Sequence, residues 1–139
     1  MIATHIEDTS AWTVMLIEDD DDNVEMARQV LEFRGATDIH IANNGLEGLS
    51  LLKTVTPTFI LLDLSMPKMD GWELYSVLRT NPATCHIPII AVTAHALKSD
   101  RERAMKLGFD GYIVKPYSVL TFVEDIKSTL RQHTLVTKQ

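Results

Sequence analysis

The stretch Thr58-Phe59-Ile60-Leu61-Leu62-Asp63-Leu64-Ser65-Met66-Pro67-Lys68-Met69-Asp70-Gly71 decides how this chain folds. Residues 58–62 form a continuous apolar run, the most apolar in the sequence, and such a run reads as a strand covered on both faces. One acid, Asp63, follows it directly. Ser65 to Gly71 reads as a loop, and Asp70-Gly71 as the turn that starts the next helix. From Trp72 to Arg79 the period becomes helical, with Leu74 and Leu78 on one face. A strand buried on both faces belongs in a parallel sheet flanked by helices, so the rest of the chain should alternate in the same way.

It does. Upstream, Trp12-Thr13-Val14-Met15-Leu16-Ile17 is a second apolar run, ending in the five acids Glu18 to Asp22. Helical spacing follows from about Asn23, with Gly35 as its C-terminal stop. Asp38 to Ala42 reads as a strand, Asn43-Asn44-Gly45 as a turn or cap, and Leu46 to about Val55 as a helix ended by Pro57. Downstream, Ile87 to Val92 reads as a strand followed by Thr93. Lys98 to Leu107 reads as a helix closing on Gly108, and Gly111 to Val114 as a strand leading into Lys115-Pro116. A last helix spans about Ser118 to Leu130, with Val119, Phe122, Val123, Ile126 and Leu130 as its buried stripe. Five strands alternating with five helices imply a doubly wound α/β domain with right-handed crossovers. Residues 12–131 are expected to form this domain, with polar tails at 1–11 and 132–139.

Composition narrows the function. The chain has 139 residues, 45% hydrophobic and 23% charged, with net charge −6. That is one ordinary globular domain. The acidic balance disfavours nucleic acid and anionic membrane surfaces as partners. No apolar run approaches the roughly 18–20 residues that span a bilayer, and the N-terminus lacks the apolar core of a signal peptide. The single cysteine, Cys85, excludes an internal disulfide and fits a reducing cytoplasm. The five histidines show no metal-ligand spacing. Trp12 and Trp72 read as packing residues.

Ligands of open α/β sheets bind beyond the carboxyl ends of the strands. There the first strand delivers Glu18 and Asp19, the third Asp63, the fourth Thr93 and the fifth Lys115. Clustered carboxylates repel unless a cation joins them, and Mg²⁺ suits such oxygen ligands. An aspartate can be a nucleophile toward phosphorus; a metal and a lysine can neutralise the phosphoryl oxygens. A flavin phosphate, by contrast, would meet five acids where it needs a cradle. Asp20, Asp21 and Asp22 read as a solvated turn at a helix N-terminus.

Four segments carry a resemblance: Leu16-Ile17-Glu18-Asp19-Asp20, Leu61 to Gly71, Ala91-Val92-Thr93-Ala94 and Gly111-Tyr112-Ile113-Val114-Lys115-Pro116. Together they look like the receiver domain of two-component response regulators, over residues 13–131. The resemblance implies a five-stranded, flavodoxin-like (βα)5 topology. It implies Asp63 as phosphoacceptor, and Mg²⁺ held by Asp19, Asp63, Glu18 through water, and the backbone carbonyl of Ser65. Thr93 matches the switch hydroxyl, Lys115 the phosphate-binding lysine, and Tyr112 the aromatic switch. The Lys115-Pro116 bond matches one that is typically cis. Ser65 and His95 fall where the family tunes dephosphorylation.

The implied protein is a stand-alone, cytoplasmic signalling domain rather than a turnover enzyme. Its donor would be a histidine kinase or a histidine phosphotransfer protein. No stretch is left for an output domain, so its output is expected to be a protein target in trans, with room for a homodimer through the switch face. A phosphatase with an aspartyl nucleophile would need a substrate-enclosing cap, and no insertion supplies one.

Overall fold

The computed structural model describes residues 6–64, 66, 71–94, 97–115 and 118–137, the last three as backbone only. Its elements are β1 (Thr13–Ile17), α1 (Asp21–Phe33), β2 (Asp38–Ala42), α2 (Gly45–Leu51), β3 (Phe59–Asp63), α3 (Gly71–Thr80), β4 (Ile89–Thr93), α4 (Lys98–Leu107), β5 (Gly111–Val114) and α5 (Phe122–Thr137). The five strands form one sheet in the order β2-β1-β3-β4-β5. Every pairing is parallel. The alternation expected from the sequence is therefore the architecture.

The period of two along each strand divides the core. Val14, Leu16, Phe59, Leu61, Ile90 and Val92 pack with Ala27, Val30 and Leu31 of α1 and with Phe122, Val123, Ile126 and Leu130 of α5. Met15, Ile17, Ile60, Leu62, Ile89 and Ala91 pack on the opposite face, with Leu74, Tyr75 and Leu78 of α3 and Ala104 of α4. Burial of β3 and β4 is complete on both faces, which is why their sequences show no polar alternation.

The element ends differ from the sequence reading where hydrogen bonds decide them. Asp63 is the last residue of β3 rather than the first beyond it. Helix α1 begins at Asp21 because Asp20 caps it, its carboxylate accepting from the amides of Asp22 and Asn23 at 2.9 and 3.2 Å. Helix α2 stops at Leu51, well before Pro57.

Val119 is not part of the buried stripe of α5. It is 55% exposed, because residues 119–121 form a turn and the helix proper starts at Phe122. The expected tails also carry structure. Ile6 is buried against the α1/α5 face of the core, Arg131 pairs with Glu7 through both carboxylate oxygens, and α5 runs on to Thr137.

Candidate functional site

Strand order reverses between β1 and β3, and at that point the carboxyl ends of two neighbouring strands open a crevice. Glu18 follows β1, and its amide donates to the Ala42 carbonyl at 2.9 Å, which keeps it in the sheet. Asp63 ends β3, with Leu64 bonded onward to Val92 at 3.1 Å. Thr93 ends β4, and its carbonyl accepts from the Lys115 amide at 2.7 Å. That bond ties the residue after β5 to the end of β4. The pleat and the parallel register thus bring Glu18, Asp63, Thr93 and Lys115 to one rim, as the sequence implied.

Glu18, Asp63 and Thr93 are all buried, whereas Asp19 is exposed. The Lys115 ammonium stands 2.5 Å from Glu18 Oε1 and 3.6 Å from Asp63 Oδ2. Glu18 Oε2 accepts from the Asp20 amide at 3.2 Å, while Oε1 is buried without a well-directed hydrogen bond. Its charge is compensated by Lys115 but its lone pairs are not all used. Burial pushes the Glu18 carboxyl up to about 7, Lys115 opposing the rise and Asp63 adding to it. A cavity of about 260 Å³ opens over these groups, bounded also by Asn23 and Ala94.

The donor set fits a hard divalent cation. Glu18, Asp19 and Asp63 each offer a carboxylate oxygen, and the three oxygens lie within 4.8 Å of one another. This set is oxygen-rich, anionic and exposed at Asp19, and oxygen ligands of this kind suit Mg²⁺. The Ser65 carbonyl, the Met-Pro-Lys-Met-Asp loop beyond it apart from Met66, His95 and Pro116 all lie outside the described residues.

Thr93 and Tyr112 meet directly. Ala91 pairs with Tyr112 and Thr93 with Val114, so Thr93 and Tyr112 are diagonal neighbours on the α3/α4 face of the sheet. The Thr93 side chain hydrogen-bonds the Tyr112 hydroxyl, which also feels the charges of Asp100 and Arg101 on α4. Burial holds the phenol above its ordinary range. The site rim is therefore hydrogen-bonded to an aromatic hydroxyl that lies in the field of the first turn of α4.

Sequence reasoning set Gly71 at the start of α3, where it is, but not against the end of β3. A Cβ there would stand 2.3 Å from the Asp63 carbonyl oxygen and 2.6 Å from Leu64 Cα. Helix α3 starts against the backbone of the β3 terminus itself, and only glycine allows that approach. The Asp-Gly pair marked a turn, but nothing local marked its partner.

Comparison with known proteins agrees with this geometry. Residues 14–127 match the model of the response regulator receiver domain, and the chain belongs to that family. It is 42% identical to the polar-differentiation response regulator DivK of Brucella anthropi over 118 residues, which cover 85% of this chain and 95% of that one. The DivK of Brucella ovis is 41% identical over the same length. Among solved structures, a response regulator from Chloroflexus aurantiacus superposes with a TM-score of 0.80 at 28% identity, covering 86% of this chain and 98% of that one. A CheY-like receiver domain protein from Methanospirillum hungatei gives a TM-score of 0.76 at 27% identity, covering 88% and 96%. The chain is thus a response regulator receiver domain of two-component signalling. Among the described residues, no helix is long and apolar enough to cross a membrane.

One prediction follows from the Glu18–Lys115 pair. In metal-free buffer, Lys115→Ala should cost about 2 kcal/mol of stability at pH 8 and less at pH 6. Removing one partner strands a buried charge, but Glu18 can escape by taking a proton, which caps the cost. A carboxyl raised in the folded state binds more protons there than in the unfolded chain. Its stability contribution is therefore lost as pH rises from 4.5 through about 7. Losing Lys115 deepens that loss. Urea midpoints at the two pH values read it, and equal costs at both would show that Glu18 does not depend on Lys115.

Proposed function

We propose that Asp63 accepts a phosphoryl group in a Mg²⁺-dependent reaction and that the domain then presents a changed face to a protein target. The observation that supports this most is the placement of a buried carboxylate, Asp63, between two further carboxylates and an ammonium at 3.6 Å. That set gives a nucleophile, a metal seat and a charge partner at one strand end.

In the proposed transfer, an Asp63 carboxylate oxygen attacks phosphorus while the P–N bond of a donor phosphohistidine breaks. The bonding pair leaves with the imidazole nitrogen, and an acyl phosphate forms on Asp63. Mg²⁺, where bound, neutralises charge on the phosphoryl oxygens; Glu18, Asp19, Asp63 and the Ser65 carbonyl are the residues that would hold it. Lys115 moves toward the new anion, since the phosphoryl group brings roughly −1.5 to −2 charges. The Thr93 hydroxyl turns to donate to a phosphoryl oxygen. To do so it releases Tyr112, and the β4/α4/β5 surface repacks. This is a bias between two packings of one fold.

The donor is a histidine kinase or a histidine phosphotransfer protein, and the target acts in trans. The proposed unit spans 12–131 and works in the cytoplasm. It processes only its own phosphoryl group and turns over no other substrate. No nucleic-acid or membrane contact is part of the proposal, and a homodimer through the switch face is compatible with it.

Incubation with acetyl phosphate, followed by acid quench and intact mass, tests the reading. The expected result is an added mass of one phosphoryl group that requires Mg²⁺ and disappears with EDTA. No adduct at saturating Mg²⁺ would remove Asp63 from the role.

A further inference from the structure

The N-cap and first turn of α1 carry three acids, Asp20, Asp21 and Asp22, and all three are exposed. Of these, only Asp20 also bounds the cavity over Asp63. Its carboxylate does not swing freely in solvent. Oδ1 accepts from the amides of Asp22 and Asn23 at 2.9 and 3.2 Å. Its own amide donates to Glu18 Oε2 at 3.2 Å. Asp20 is thus fixed to a carboxylate of the site on one side and to the helix N-terminus on the other.

The charges around that cavity do not cancel. Among the described residues that bound it are the carboxylates of Glu18, Asp19, Asp20 and Asp63 against the ammonium of Lys115. Lys115 is drawn to Glu18, at 2.5 Å. A divalent cation among Glu18, Asp19 and Asp63 would offset that cluster. Asp20 belongs to neither pairing. It leaves a fixed negative charge in the wall where a phosphoryl donor enters and its leaving group departs. Fixed charge of one sign in a cleft selects among charged ligands.

We propose that Asp20 sets the class of phosphoryl donor, favouring donors linked through a protonated nitrogen over acyl phosphates. The inference rests on Asp63 being the phosphoacceptor. The two classes differ in what they bring past Asp20. Phosphoramidate, protonated on nitrogen, is a monoanion. An Asp63 oxygen attacks phosphorus, the P–N bonding pair goes to a nitrogen that already holds its protons, and neutral ammonia leaves. Acetyl phosphate is a dianion. The same attack breaks its P–O bond, the pair stays on oxygen, and acetate leaves as an anion. Asp20 therefore repels the acyl donor more strongly on entry and repels its leaving group on exit. A phosphohistidine protonated on its ring leaves as neutral imidazole and falls in the favoured class.

Asp20→Asn tests this, because Asn caps a helix as well as Asp does and keeps the backbone amide that holds Glu18. Labelling of the full chain by phosphoramidate and by acetyl phosphate is followed by intact mass at pH 7 and saturating Mg²⁺. The ratio of the two rate constants, phosphoramidate over acetyl phosphate, cancels any change in metal affinity or in Asp63 itself. In Asp20→Asn the ratio should fall about fivefold. The parent ratio should fall toward the same value as salt rises to ~1 M. Asp21→Asn and Asp22→Asn remove the same charge outside the cavity wall and should leave the ratio within about twofold of the parent's. Asp20→Ser, another capping residue, should repeat the Asp20→Asn result. An unchanged ratio in both Asp20 variants, an equal shift in the Asp21 and Asp22 variants, or a parent ratio indifferent to salt overturns the inference and leaves the phosphoacceptor reading intact. No adduct from either donor overturns both.

Discussion

Asp63→Asn is expected to lose the phosphoryl adduct completely and, in metal-free buffer, to unfold at higher urea than the parent. The first half follows from chemistry, since a carboxamide oxygen is not the nucleophile a carboxylate is. The second half follows from geometry. Asp63 faces two like charges, Glu18 and Asp19, with carboxylate oxygens within 4.8 Å. Lys115, an opposite charge beside it, is closer to Glu18 than to Asp63, at 2.5 against 3.6 Å. Removing the Asp63 charge therefore relieves more repulsion than attraction, by about 1 kcal/mol at the screening typical of such sites.

The sign against pH can be worked out. Glu18 is raised to about 7 in part by Asp63. Without that neighbour it comes down, and the stability lost between pH 4.5 and about 7 shrinks. The gain should thus be small near pH 5 and full by pH 8. Mg²⁺ should narrow it, because a bound cation relieves the same repulsion in the parent. Urea titrations with EDTA and with Mg²⁺ at both pH values, beside intact mass after acetyl phosphate, measure all of this. Equal labelling of the variant would place the nucleophile elsewhere. A less stable variant at pH 8 would mean that the three carboxylates do not repel one another as described.

Much of the site could be read from the sequence because each residue closes an apolar run. A strand covered on both faces leaves a sharp boundary where the first polar residue must emerge at the rim. Glu18, Asp63, Thr93 and Lys115 all sit at such boundaries, so their meeting follows from topology. What could not be read depends on partners distant in sequence. The Glu18–Lys115 distance needs the sheet order, and the Thr93–Tyr112 contact needs the β4–β5 register. Val119 fits a helical stripe by spacing, but the turn at 119–121 shifts it into solvent. Ile6 looked like part of a tail because only the packed α1/α5 face shows what it covers. Trp72 was legible as a packing residue, yet its cation partner, Arg103, stands on another helix.

Under the proposed switch, these contacts make the α4 side of the molecule the part able to respond. Strands β3 and β4 are fully buried, and such cores repack only as discrete alternatives. Helix α4 contributes one buried residue and lacks a side-chain N-cap at Leu97, so its N-terminal turn is held at low cost. Its C-terminal end is fixed by Gly108 in the left-handed region and by the buried Phe109. A change at Thr93 therefore meets little resistance at Asp100 and Arg101 and much more at Leu107.

Gly71→Ala should be the most damaging single-methyl substitution in the domain, with a loss of about 3 kcal/mol, a Tm lower by about 10 °C, and slowed labelling of Asp63. Helix propensity alone argues the opposite, because alanine is favoured over glycine inside helices by up to ~1 kcal/mol. The contact distances decide. The new Cβ would meet the Asp63 carbonyl oxygen at 2.3 Å, Leu64 Cα at 2.6 Å and the Asp63 carbonyl carbon at 3.0 Å. All three are backbone atoms, so no rotamer change relieves them. Either α3 retreats, loosening Leu74, Tyr75 and Leu78 from the core, or the end of β3 shifts and carries Asp63 with it.

Gly108→Ala is the matching control. Gly108 has φ of 108°, and its added Cβ would meet the Tyr75 hydroxyl at 2.8 Å. It should cost about 1 kcal/mol for the left-handed backbone yet label at the parent rate, since it lies at the far end of α4 from the site. Thermal melts and a time course of the acetyl phosphate adduct separate the two variants. A Gly71→Ala protein that melts and labels like the parent would show that α3 does not rest on the strand that carries Asp63. Slowed labelling in Gly108→Ala but not in Gly71→Ala would place control of Asp63 at α4 instead.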